Sequence, residues 1–249
     1  MELTILYEDA DMVAVAKPAG VMVHADGVSA NETVADWFAA RYPASKDVGE
    51  TQRLKDGTEI ARPGIVHRLD VDTSGVLVLA KTPEAHAFLK EAFKAREAKK
   101  TYLAFVYGVP KEKQGVIDFD IGRSRKDFRL RSAQPKARGT LRDALTRYEV
   151  IGTDGHGTNA KHAMLRVMPE TGRTHQIRVH LKAIHHPIVC DPLYAPNHSC
   201  DLGLARLGLH AYQLDLPLPS GARVTITAPP PADFAAAAGN FPNAPDFSA

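Results

Sequence analysis

Apolar residues in this chain gather into short runs separated by polar turns, the pattern of a strand-rich protein. The opening "LTILYEDADMVAVAKP" predicts two strands, 3–7 and 12–16, around an acidic turn. Asn31 reads as the N-cap of a helix reaching Arg41 and stopped by Pro43, with Val34, Trp37 and Phe38 on its apolar face. The stretch 44–63 is polar and without periodicity, and predicts a surface loop. A continuous apolar strand follows at 76–80. Thr82 then caps a helix with Pro83 in its first position, and Ala85, Phe88, Leu89, Ala92 and Phe93 form its buried stripe. Further strands are predicted at 102–107, 145–151, 163–167, 207–216 and 223–228. Between them "TGRTHQIRVHLKAIHHP" predicts a turn and a helix that buries Ile177, Leu181 and Ile184.

Many strands with few intervening helices and no strict β–α alternation predict an α+β fold with a mixed, mostly antiparallel sheet flanked by helices. There are no internal repeats and no dividing linker. The expected organisation is one catalytic domain over 1–228 and a Pro/Ala-rich tail, 229–249, that frays. No apolar run reaches membrane-spanning length, and the N-terminus lacks the basic region of a signal peptide, so a cytoplasmic protein without membrane contact is expected. The two cysteines, Cys190 and Cys200, are too few for a disulfide framework and are expected as reduced thiols.

Charge changes the picture more than composition does. The formal net charge is only +2, but residues 90–142 hold 15 Lys and Arg against 6 Asp and Glu. A basic block in a near-neutral chain points to a polyanionic partner. Within it, "GRSRKDFRLRS" predicts a hairpin, with Phe128 and Leu130 alternating against Arg123, Arg125, Lys126, Arg129 and Arg131.

Candidate chemistry concentrates in "PGIVHRLDVDTSGVLVLAKT", residues 63–82. Asp70 stands at the turn into a buried strand, where catalytic groups gain rigid support. A nucleophilic carboxylate must be ionised, and a neighbouring arginine favours that form; Arg68 and Arg178 are the candidates. Asp70 and Asp72 could also form a carboxylate pair, but Asp72-Thr73-Ser74-Gly75 has the composition of a turn, with Asp72 bonding its own backbone. "HRLD" is not a kinase catalytic loop, because Gly75 stands where an asparagine is required. No glycine-rich phosphate loop precedes a helix. The histidines near Cys190 and Cys200 lack C-x-x-C or H-E-x-x-H spacing. No metal and no cofactor are expected.

Four motifs carry a resemblance. "KPAGVMVH" (17–24), "HRLDVDTSG" (67–75), "REAKKTY" (96–102, with Arg96, Lys100 and Tyr102 in an R-x-x-x-K-x-Y arrangement) and "GRTHQIRVHL" (172–181) occur in the order and spacing of the RluA-type RNA pseudouridine synthases. The chain resembles that family from about residue 5 to 228. The resemblance implies an antiparallel sheet bisected into two halves with the active cleft between them. It implies Asp70 as nucleophile, Arg178 as its partner, and Tyr102 stacking on the target base and helping to remove the C5 proton. It implies Arg68 holding open the site of the flipped nucleotide and Ile177 lining the uracil pocket. His67, Arg96 and Lys100 fall in the matched motifs as substrate-binding residues, joined by Arg125, Lys126 and Arg129 of the basic hairpin. The S4 RNA-binding module of many relatives is absent from a sequence that enters the catalytic pattern at residue 3, so RNA recognition is expected from the catalytic body, acting as a monomer.

The residues themselves agree. Exchanging the glycosidic bond of a uridine requires the base to leave its stack, an aromatic to receive it and cations to hold phosphates. The expected activity is isomerisation of specific uridines in structured RNA, in an rRNA or tRNA stem-loop. Two other classes are open to the same residues: a catalytically silent RNA-binding or RNA-chaperone protein on the same fold, and a carboxylate-pair glycoside hydrolase, for which a single tryptophan supplies little of a sugar cleft.

The basic hairpin generates a salt test. Changing Arg125, Lys126 and Arg129 together to Ala should flatten the plot of log affinity against log salt by roughly 0.7–0.9 per lost phosphate contact. An unchanged slope, measured by filter binding over a salt series, places the RNA elsewhere.

Overall fold

The computed structural model describes residues 1–53, 57–125, 127, 130–133, 137–155, 159–242 and 244. Their elements run β1 (Thr4–Glu8), β2 (Met12–Lys17), α1 (Val34–Arg41), β3 (Gly49–Arg53), β4 (Glu59–Pro63), β5 (Ser74–Ala80) and α2 (Pro83–Lys94). Then follow β6 (Lys99–Tyr107), β7 (Gln114–Asp118), β8 (Ile121–Arg123), β9 (Arg131–Ser132), β10 (Arg138–Arg142), β11 (Leu145–Thr153) and β12 (His162–Pro169). The chain closes with α3 (Gln176–Ala183), β13 (Leu209–Pro217), β14 (Arg223–Thr227) and α4 (Ala232–Ala238). Antiparallel ladders with a few helices make this an α+β protein, as the alternation of short apolar runs predicts. The chain divides into two compact units, 1–99 with 211–228, and 100–210 with 229–249.

In the first unit β2 pairs with both β1 and β5, all antiparallel, and β13 pairs with β14. All seven residues of β5 are buried, so the run reads as continuously apolar rather than alternating. Gly75 on β5 has φ +123, and a Cβ there would stand 2.1 Å from the Ala211 carbonyl oxygen. It is a glycine because another backbone passes where a side chain would be, and not, as expected, because it ends a turn.

Helix α1 starts two residues later than predicted. Thr33, not Asn31, is its N-cap, and Thr33 and Asp36 form a reciprocal capping box. Helix α2 begins as expected, with the Thr82 side chain accepting from Ala85 N and Pro83 at N1. Its buried stripe is rotated, however: Phe88 is 37% exposed, while His86 is buried with Nε2 against the Ile65 carbonyl at 3.2 Å. The predicted loop at 44–63 is largely a hairpin, with β3 and β4 in antiparallel register from Gly49↔Pro63 to Arg53↔Glu59. Most of its side chains are exposed or half-buried, so it lacks the apolar alternation that marks a strand.

In the second unit β6, β12, β11 and β7 form an antiparallel run, and β10, β8 and β9 form a smaller sheet. Ile177 and Leu181 from α3 join Ala104, Val106, Leu165, Val167 and Ile188 in one buried cluster. Each of the Val, Leu and Ile side chains in it is worth about 1.5–3 kcal/mol of burial. The tail from Pro229 does not fray over its described length. Phe234, Ala237, Ala238 and Phe241 are buried, spaced as one stripe, and Phe234 and Phe241 both pack on the Phe105 ring, at 4.4 and 5.2 Å between ring centroids. Alanine-rich composition resembles a flexible tail but is also good helix-forming sequence. Cys190 and Cys200 are joined in a disulfide, with Cα atoms 4.6 Å apart, instead of standing as reduced thiols. The fold brings together two cysteines that spacing alone leaves uncommitted.

His180 is fully buried between Thr146 Oγ1 and the Phe119 carbonyl, each at 2.9 Å. Burial pushes its pKa below the ordinary value, since imidazolium would lose its hydration. The folded state therefore favours the neutral ring and the unfolded state takes up the proton more readily. This contribution is complete above about pH 6.5 and is lost as pH falls below it, by at most about 1.4 kcal/mol per pH unit. Urea midpoints should fall more between pH 7.5 and 5.5 in the wild type than in His180→Gln. Equal falls in both proteins would remove His180 as a source of the acid sensitivity.

Candidate active site

Asp70 lies half-buried in the first unit, between buried Leu69 and the exposed Val71, in the segment that leads into β5. The turn 70–73 is closed by the main chain, Thr73 N donating to Asp70 O at 3.1 Å, and the Asp72 carboxylate takes no part in that bond. The fixed point of the turn is the next carbonyl. Val71 O accepts from Gly20 N at 2.9 Å and from Lys17 Nζ at 2.9 Å. Lys17 is 1% exposed, and Nζ also donates to Pro18 O at 2.8 Å and Val21 O at 2.7 Å. A buried ammonium needs partners for its three N–H groups, and here they bind the first motif to the turn beside Asp70. A lysine at the end of a strand gives no sequence signal of burial, and its role was missed for that reason.

Arg68 is exposed two residues before Asp70. His67 is engaged within the unit: Nε2 accepts from Val78 N at 3.0 Å, and the ring stacks on Phe93 at 4.5 Å. That bond puts the ring proton on Nδ1. His24, from the first motif, has its pKa lowered by burial, and further by Arg62 and Arg68.

Arg96 occupies an unusual place. It is exposed with φ 63, immediately after the Ala95 C-cap of α2. Glu97 N donates to Ala92 O at 2.9 Å and Arg96 N to Phe93 O at 3.3 Å, the two bonds of a Schellman motif. Glycine is the usual residue at that position, and an arginine there costs about 1–2 kcal/mol of backbone strain.

The remaining candidates belong to the second unit. Tyr102 sits half-buried on β6 opposite Val167 and packs on the cluster that contains Ile177. Lys100, two residues before it, donates to Thr171 O at 3.0 Å. The loop 171–175 ahead of α3 is tied to Gln176, which is buried. Gln176 Oε1 accepts from Thr171 Oγ1 and Arg173 N, while Nε2 donates to Leu145 O and Thr146 Oγ1. All four of its polar valences are used, so the start of α3 has one position.

Arg178 is 3% exposed on α3. Nε and Nη2 donate to Asp191 Oδ2 and Oδ1, both at 2.8 Å, a two-bond grip on a carboxylate 1% exposed. The Arg178 guanidinium also lies 5.2 Å from the centre of the Tyr194 ring. Asp191 and Tyr194 were not singled out in the sequence, although "DPLY" has the composition of an aspartate-capped turn. Of the basic hairpin, the ends pair as predicted, Gly122↔Ser132 and Arg123↔Arg131, and Leu130 packs inward. Arg125 is exposed, and Lys126, Phe128 and Arg129 lie outside the described residues.

Comparison with known proteins agrees with the motifs. The family model described as RNA pseudouridylate synthase matches residues 11–183. An uncharacterized RNA pseudouridine synthase of Synechocystis is 40% identical over 93% of this chain and 67% of its own length. The ribosomal large subunit pseudouridine synthase D of Nitrosomonas europaea is 37% identical over 99% of this chain and 67% of its own. Among solved structures, human RNA pseudouridylate synthase domain containing 1 superposes with a TM-score of 0.72 at 26% identity, over 92% of this chain and 84% of that one.

The strained Arg96 yields a two-sided expectation. Arg96→Gly should stabilise the protein by about 0.5–1 kcal/mol net, the relief of about 1–2 kcal/mol of strain being partly offset by the greater entropy of the unfolded chain. It should also weaken RNA binding if the guanidinium meets phosphate. Thermal unfolding and a binding titration on one preparation decide both, and a stabilised variant with full RNA affinity takes Arg96 out of recognition.

Proposed function

Because the chain belongs to the RNA pseudouridylate synthase family and is an isomerase acting on uridine in RNA, we propose that Asp70 is its nucleophile and that the target uridine is flipped out of its stack to meet it. Isomerisation breaks the C1′–N1 bond, forms a C1′–C5 bond and releases the C5 proton. It needs a placed carboxylate, a receiver for the displaced base and a route for one proton. Asp70 supplies the first. The observation that carries this assignment is the fixing of the Asp70 turn by buried Lys17 through Val71 O, which holds the carboxylate on a rigid support.

Tyr102 offers a ring face for the base and a hydroxyl within a well-packed strand. Arg178 is a catalytic cation in this scheme, and Arg68 steadies the vacated stack. Ile177 lines the uracil pocket, while Arg96, Lys100 and the basic hairpin meet phosphates. The closely related protein named for the ribosomal large subunit favours large-subunit rRNA over tRNA as the substrate. A stem-loop presenting an unpaired uridine suits the chemistry, because extrusion is least costly there. The enzyme works in the cytoplasm as a monomer.

Tritium release from RNA carrying 5-tritiated uridine tests the assignment. Asp70→Asn should release none while keeping RNA affinity. Tyr102→Phe should bind nearly as well and turn over more slowly, and Tyr102→Ala should lose about 1–3 kcal/mol of binding. Turnover by Asp70→Asn at the wild-type rate overturns the nucleophile. Mapping pseudouridine in rRNA and tRNA with and without the gene identifies the substrate.

A further inference from the structure

We propose that Asp191 is the positioning residue for Arg178: with Tyr194 it fixes the direction in which the guanidinium faces the reacting groups. This rests on the reading in which Arg178 is a catalytic residue. An arginine side chain has many rotamers, and a buried one that acts on a second group must be confined to one. Asp191 occupies the Nε–Nη2 edge of the guanidinium with two bonds of 2.8 Å, so a reacting group has to approach along the other edge.

The anchor is itself anchored. Asp191 Oδ1 also accepts from Leu193 N at 2.9 Å and Tyr194 N at 3.0 Å, so the carboxylate is fixed by its own turn. Tyr194 lies beside the guanidinium, and its hydroxyl accepts from Arg131 N at 2.9 Å. It stands 3.0 Å from Nδ1 of His175, the N-cap of the helix that carries Arg178. The segment holding Asp191 and Tyr194 is bracketed by the Cys190–Cys200 disulfide. Every group that touches the guanidinium in this cluster is thus tied back to the backbone around it.

Stability alone is a weak reason for such a pair, since apolar residues of equal volume often serve a core as well as a buried ion pair does. An orienting role accounts for the two-bonded geometry. The orientation matters because a misplacement of about 1 Å in a catalytic group costs about a hundredfold in rate.

The test uses the full chain. Asp191→Asn keeps the shape and loses the charge; Asp191→Glu keeps the charge and moves the carboxylate by one methylene. Both should lower kcat for tritium release about 10–100-fold with KM for RNA little changed. In an Arg178→Lys background, Asp191→Asn should cost little more, because its effect passes through the arginine. Independently of activity, the Arg178 Hε proton should be protected from solvent exchange by NMR in the wild type and lose that protection in both variants. If Asp191→Asn does not fold, Asp191→Glu alone decides. A folded variant with wild-type kcat overturns the proposal, as does an equal loss in the Arg178→Lys background. Active wild type with inert Asp70→Asn but unaffected Asp191 variants would sink this inference and leave the assignment of Asp70 standing. Turnover by Asp70→Asn together with a loss of kcat of about 10–100-fold in the Asp191 variants would overturn the nucleophile and leave the positioning role of Asp191 standing.

Discussion

A cation shut away from water has to be met by polar partners, and two such cations organise the candidate site residues of this protein. Lys17 brings its ammonium to the carbonyls of Pro18, Val21 and Val71. Arg178 brings its guanidinium to Asp191. Neither is placed for the sake of the core, where an apolar side chain would avoid desolvating a charge. Lys17 joins its motif to a turn more than fifty residues further on, after Asp70, and Arg178 joins α3 to the loop that follows it. The cost of burying each charge is offset only if its partners stay in place, and partners that must stay in place make a rigid site.

The two cations use different partners, with different consequences. Main-chain carbonyls cannot be removed by mutation, so the grip on Lys17 depends on the course of the backbone, with Gly20 N sharing the Val71 carbonyl. The grip on Arg178 depends on one carboxylate, fixed in turn by two backbone N–H groups. The first arrangement orients a loop and the second orients a side chain.

How much of this was legible in the sequence follows from what each element needs from its neighbours. Strands β2 and β5 and helix α2 declare themselves because burial and capping leave local marks: apolar runs, Thr82, Pro83. The β3–β4 hairpin leaves none, since its side chains are mostly solvated and its register rests on backbone bonds. Helix α4 was masked by composition, although Phe234, Ala237, Ala238 and Phe241 do form a helical stripe. Phe88 followed the stripe and yet stands exposed, because His86 takes the buried place with a carbonyl partner that periodicity does not register. Asp70, Tyr102 and Arg178 were singled out by motif and by charge beside a strand. Lys17, Asp191 and Tyr194 were not, because a buried ion and its partner are recognisable only once the fold brings them together.

Arg96 carries the same logic to the surface. A glycine at the end of α2 would satisfy the Schellman bonds without strain, and the chain places a cation there instead. Local strain persists where the surrounding structure over-determines it, and such strain collects at sites of function. The arginine sits three residues before Lys99, whose ammonium bonds the Arg96 carbonyl, and four before Lys100, which reaches Thr171 O. Backbone strain at Arg96 and buried charge at Lys17 and Arg178 are local losses of stability. In all three the loss sets the position of a charged or polar group among the proposed site residues, and electrostatic catalysis depends on such groups being in place before the substrate arrives.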